Sequence, residues 1–122
     1  MGHSMHAADK IAVVEKYIQA FANNDISLIK EIYAEDATVE DPVGSEVRHG
    51  IPAIVEFYQQ AFGAGATLEI TGPARCAGNA VAFPFCVSVA GMKIHAIDVF
   101  EFNIGGKVTS MKAYWGPENI AA

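Results

Sequence analysis

The stretch NAVAFPFCVSVAGMKIHAIDVFEFNIGGKVTSMKAYW, residues 79–115, decides the fold. It breaks at Gly91-Met92 and at Gly105-Gly106 into three runs rich in β-branched and aromatic residues, which predict strands over 79–90, 93–103 and 107–115 joined as hairpins. In the middle run Ile94, Ala96, Asp98, Phe100 and Phe102 fall on one face, and Lys93, His95, Ile97, Val99 and Glu101 on the other. A further strand over 67–71 precedes Gly72-Pro73.

Upstream the period changes. Ile11, Val14, Tyr17, Ile18 and Phe21 recur at three and four, one face of a helix from Asp9, a suitable N-cap, to Ala22, and Asn23-Asn24 ends it. Asp25 caps a shorter helix with Ile29, Ile32 and Tyr33 on its inner face, and a short strand over 37–40 stops at Asp41-Pro42. After a polar loop over 43–50, Ile54, Phe57, Tyr58, Ala61 and Phe62 make a third helix, with Pro52 in its first turn and Gly63 at its close. Helices first and antiparallel strands after give an α+β domain, a curved and mainly antiparallel sheet wrapped around three N-terminal helices.

The chain of 122 residues reads as one domain over 1–122, large enough to stand without disulfides or metal. Met1 to Ser4 read as an added remnant, with Met5 the natural start. A net charge of −6 and a pI near 5.0 argue against nucleic acid and anionic membranes, which need a basic footprint, and leave a neutral or cationic small molecule open. The longest apolar run, 80–89, contains Pro84 and is too short to span a bilayer. With no signal-like start and only two cysteines, Cys76 and Cys86, without metal-ligand spacing, a soluble cytoplasmic protein is expected.

Asp98 stands in an apolar row, and neither Arg48 nor Arg75 is placed in a strand facing it. A carboxylate buried without a cation keeps its proton, which makes it a hydrogen-bond donor; the alternative is an Asp at a wet sheet edge. Asp41, at the end of its strand, is either a general base at the sheet rim or an ordinary Asx turn. Tyr17, Tyr33 and Tyr58 each fall on the buried face of a different helix, and three inward hydroxyls need one another or a ligand. Phe83, Phe85, Val87 and Val89, with Met111, Ala113 and Trp115, are core or the walls of a pocket.

The run YAEDATVEDPVG, residues 33–44, resembles the signature stretch of bacterial Δ5-3-ketosteroid isomerases. Tyr17 precedes Asp41 by 24 residues (41 − 17), the separation of that family's oxyanion-hole tyrosine and catalytic base. Ala96-Ile97-Asp98-Val99-Phe100 resembles the strand that carries its protonated aspartic acid, and Glu56-Phe57-Tyr58 resembles the segment whose tyrosine bonds the oxyanion-hole tyrosine. Met111 to Trp115 and the tail that follows resemble the family's last strand and terminus. The likeness covers nearly the whole chain after Asp9; it departs at a shorter hairpin around Gly91 and in the loop over 63–66, which bears on substrate fit.

The resemblance implies a cone-shaped NTF2-like domain and a steroid Δ-isomerase acting on a small apolar ketone such as a 3-oxo-Δ5-steroid. Asp41 would be the base, Tyr17 and protonated Asp98 the oxyanion donors, Tyr58 and Tyr33 their support, and Phe57, Phe83, Phe85, Met111 and Trp115 the walls. No metal or cofactor is expected, and a homodimer through the exposed sheet face is, given a mean hydropathy of +0.23. The same architecture serves dehydratases, cyclases and epoxide hydrolases, as well as non-catalytic binding modules. Those enzymes usually want a cavity His or an Asp/Arg/Asp set, whereas His95 points away from Asp98 and His49 sits in the polar loop.

Overall fold

The computed structural model describes residues 5–122; the reading of residues 1–4 lies outside the described residues. Helix α1, Ala7–Asn23, buries Val14, Tyr17, Ala20 and Phe21. It starts before the expected Asp9 cap. His6 is the N-cap, without a side-chain bond, and its carbonyl accepts from the Asp9 and Lys10 amides at 3.0 and 3.2 Å. Ala7 and Ala8 favour that earlier start, and Asp9 then complements the helix dipole from inside the first turn. Buried Lys10 ties α1 to the sheet, its Nζ donating to the Gly78 carbonyl at 2.6 Å.

Asp25 caps α2, Ile26–Ile32, as expected, accepting from the Leu28 amide at 3.2 Å. Tyr33 does not belong to this helix. It opens β1, Tyr33–Glu40, which begins before the expected residue 37 because Tyr33 comes opposite Val108 in a parallel pairing. That partner is distant in sequence, so no local pattern announces it. Inside the expected polar loop, β2, Arg48–His49, pairs with β1. Helix α3, Gly50–Gly63, follows and buries Ile54, Tyr58 and Phe62.

The remaining strands are β3 (Thr67–Ile70), β4 (Arg75–Ala77), β5 (Ala80–Val89), β6 (Met92–Phe102), β7 (Val108–Tyr114) and β8 (Ile120–Ala121), the last after a 3-10 turn over Pro117–Asn119. The long ones lie where expected to within a residue. β4 and β8, like β2, are too short to display a period and exist through their partners β5 and β6. The sheet runs β2-β1-β7-β6-β5-β3, antiparallel except between β1 and β7.

Register explains the core. Val39, Met111, Phe100 and Val81 come level across four neighbouring strands and are all at most 1% exposed. The helices cover that face with Tyr17, Ile29, Ile54 and Tyr58. On the opposite face Ile97 and its cross-strand neighbour Tyr114 stay about half exposed, at 47% and 48%. Among the described residues no helix is long and apolar enough to cross a membrane.

Candidate active site

One row beyond that core, Asp98 lies between Phe83 of β5 and Ala113 of β7, both fully buried. The alternation of β6 turns Asp98 inward and leaves it 1% exposed, with no hydrogen-bond partner for either carboxylate oxygen among the described residues. Burial therefore raises its pKa well above the ordinary carboxylate value. Asp41 adds to this through charge, while the nearby Tyr17 hydroxyl opposes it without reaching bonding distance. Burial therefore favours the neutral form of Asp98, and its 1% exposure sets the wet-edge alternative aside.

Asp41 follows directly on β1. Val39 is level with Met111, and the Val43 amide donates to the Ala113 carbonyl at 2.8 Å, so Asp41 enters the row of Ala113 and Asp98. Burial raises the pKa of Asp41; the Trp115 indole, donating from Nε1 to Oδ1 at 2.7 Å, and then the charge of Arg48 lower it. One oxygen is held by Trp115, and the other has no protein donor among the described residues.

The three tyrosines converge although they come from α1, β1 and α3. The Tyr58 hydroxyl lies 2.9 Å from that of Tyr17 and 2.6 Å from that of Tyr33. Burial raises the pKa of all three. Donation in the order Tyr33 to Tyr58 to Tyr17 gives each bond one donor and leaves the Tyr17 proton for a further acceptor. This order agrees with the direction of the hydrogen-bond effects, which raise Tyr33 and lower Tyr17. Edge contacts with Phe21 and Phe100, each with ring centroids at 5.2 Å, fix the Tyr17 ring.

A cavity of about 220 Å³ reaches Tyr17, Asp41 and Tyr58 of this constellation, while Asp98 and Tyr33 are buried behind its lining. Tyr17, Asp41, Tyr58 and Trp115 supply its polar atoms; Phe57, Phe85 and aliphatic side chains from β5 and β6 supply the rest. Two expected walls are corrected. Phe83 and Met111 are fully buried and do not line the cavity: Met111 lies in the core row with Phe100, and Phe83 in the next row beside Asp98, both packed in the core under the helices. Phe21, Ala61, Ala66, Leu68, Val87, Val89, Ile94 and Ala96 line it instead. The period of β5, which puts Val87 and Val89 on the face of Phe85, carried that information for two of them. Trp115, expected as a wall, is also the hydrogen-bond donor to Asp41. His95 and His49 are exposed and stand away from the cavity.

Comparison with known proteins gives a consistent picture. The SnoaL-like domain model matches residues 14–111. A steroid Δ-isomerase of Nocardioides simplex is 40% identical over 118 residues, covering 93% of this chain and 95% of that protein. Among solved structures, the epoxide hydrolase/cyclase-like enzyme SalBIII, described in pyran ring formation in the polyether salinomycin, matches with a TM-score of 0.88 and 30% identity, covering 94% of this chain and 96% of that one.

Proposed function

Because this chain belongs to the SnoaL-like family and, within it, to the ketosteroid isomerases, we propose that it is a steroid Δ-isomerase that moves a β,γ double bond into conjugation with a 3-ketone. The observation that carries this reading is the buried Asp98, its two oxygens without a partner among the described residues, in the sheet row of Ala113 and close to Tyr17; burial favours its neutral form. A ketone oxygen placed between Tyr17 and Asp98 accepts two hydrogen bonds from donors that need not reorganise as charge develops.

Asp41 takes the proton from the carbon between the ketone and the double bond. The electrons of that C–H bond pass into the π system, giving a dienolate whose negative oxygen Tyr17 and Asp98 hold. The proton returns from Asp41 to the γ carbon, so the atoms balance within one substrate and Asp41 ends as it began. Trp115 fixes one carboxylate oxygen and leaves the other to carry the proton across. Tyr58 and Tyr33 strengthen Tyr17 from behind. The apolar cavity suits a ligand with a hydrophobic body and one polar end.

Turnover of a 3-oxo-Δ5-steroid, followed by the absorbance of its conjugated product, tests the proposal. Asp41→Asn should bind the product-like ketone while kcat falls about 100-fold or more. Near-parental turnover by that variant would remove Asp41 from the role of base.

The likeness to the cyclase-like enzyme favours one second reading, epoxide opening. There neutral Asp98 would protonate the epoxide oxygen as Asp41 deprotonates an attacking hydroxyl. Turnover of an epoxy alcohol together with inertness toward the unsaturated ketone would select it. The exposed pair Ile97 and Tyr114 supports a homodimer through the outer sheet face; a sedimentation mass of a single chain would count against it.

A further inference from the structure

We propose that Arg48 is a positioning residue for the base: standing over Phe57 beside the cavity, its fixed positive charge favours the carboxylate form of Asp41 and extends turnover toward acid pH. This rests on the reading of Asp41 as the base.

The placement follows from strand register. Arg48 of β2 comes opposite Val39 of β1, and paired residues of antiparallel strands project to one face. Asp41, just past the end of β1, lines the same cavity as Phe57. Arg48 is thereby aimed past the sheet edge toward α3 and the rim of the site. There its Cζ stands 4.5 Å from the centroid of the Phe57 ring, within the range of a cation–π contact. Its Nη1 also donates to the Glu46 carbonyl at 3.3 Å, which ties the guanidinium to its own loop. Phe57 lines the cavity and meets Tyr58 edge-on at 5.1 Å, so the ring that carries Arg48 is itself held by the tyrosine cluster.

The charges around Asp41 leave this role to Arg48. From β6 the carboxyl of Asp98 faces it as a neutral acid, and from beyond β7 Trp115 donates a neutral N–H. From α1, β1 and α3 come the neutral hydroxyls of Tyr17, Tyr33 and Tyr58. Glu40, the preceding residue, alternates to the other face and accepts from the Gly44 amide at 2.8 Å. Among the described residues Arg48 is the one cation that acts on Asp41. Burial pushes Asp41 toward its protonated form, in which it cannot accept a proton. An arginine opposes this across the whole useful pH range, since its own charge does not titrate there. No arginine acts on Asp98, so burial favours its neutral form while Arg48 favours the charged form of Asp41.

The test compares Arg48→Met, which keeps an unbranched apolar contact with Phe57 and removes the charge, with Arg48→Lys, which keeps a charge and loses the planar guanidinium. The readouts are the pH profile of kcat/KM on a β,γ-unsaturated 3-ketosteroid and the carbon NMR titration of the Asp41 carboxyl in the unliganded protein. In Arg48→Met the acid limb and the Asp41 titration should both move to higher pH, with kcat/KM on the acid side about threefold lower and KM little changed. Arg48→Lys should keep both near the parental position. An Asp41 titration unmoved in Arg48→Met would overturn the proposal, as would Arg48→Lys displacing it as far as Arg48→Met does. Because the titration needs no turnover, failure of the isomerase reading would register separately, as a parent protein inert toward the ketone.

Discussion

Asp98 and Asp41 are the same residue type in one sheet row, and the proposed function gives them opposite protonation roles. Asp98 is enclosed by Phe83 and Ala113 with no donor to either oxygen, while Asp41 has the Trp115 indole and the field of Arg48. The tyrosines divide their work in the same way, since only Tyr17 and Tyr58 line the cavity and Tyr33 lies behind them. Each Tyr→Phe change removes one hydroxyl, so differences in rate report chemistry rather than volume. For Tyr17→Phe kcat should fall about 100-fold, for Tyr58→Phe less and for Tyr33→Phe least, with KM nearly constant. Equal rates across the three folded variants would assign the hydroxyls to packing and send the search for the oxyanion donors elsewhere.

The hairpin between β5 and β6 shows local and global demands in conflict. Val89 pairs with Met92, leaving a two-residue turn of Ala90 and Gly91 with φ of 53° and 77°. Such turns match the sheet twist but require positive φ at both positions, where Gly and Asn are at ease and Ala is strained. Ala90 is exposed, so its side chain contributes no core packing in return. Ala90→Asn should therefore raise stability by about 0.5–1 kcal/mol in urea unfolding, with activity on the ketone retained. A destabilised variant would mean that the turn is held by something other than its backbone preference.

For the molecule as a whole, the site makes stability depend on pH. The folded pKa of Asp98 lies above its unfolded value of 3.8. Its favourable contribution is therefore fully present below that value and is lost as pH rises from there through the folded pKa, since the folded state holds the proton more tightly than the unfolded chain. Asp41, also raised by burial, acts in the same direction. Asp98→Asn keeps a donor and removes the titration, so the difference in urea midpoint between variant and parent should move steadily in favour of the variant from about pH 4 toward about pH 8. A difference that stays flat over that range would mean that Asp98 is ionised in the folded protein.

Sequence by itself determined the helices, the strands β3, β5, β6 and β7 and the inward direction of Asp98, because hydrophobic periods of 3.6 and 2 are local properties of the chain. It also supplied the candidate set Tyr17, Asp41 and Asp98, through the resemblance of residues 33–44 and of the strand around Asp98 to one family. Only the tertiary structure decided that Tyr33 opens a strand, since its partner Val108 is remote in sequence and a parallel pairing leaves no local trace. The same holds for the short strands β2, β4 and β8, for the pairing of Asp98 with Ala113, and for the bond from Trp115 to Asp41. Phe83 and Phe85 carry the same alternation on β5, yet one is core and the other cavity wall. Periodicity gives the face of a sheet, and the position of the helices above it decides which part of that face stays open.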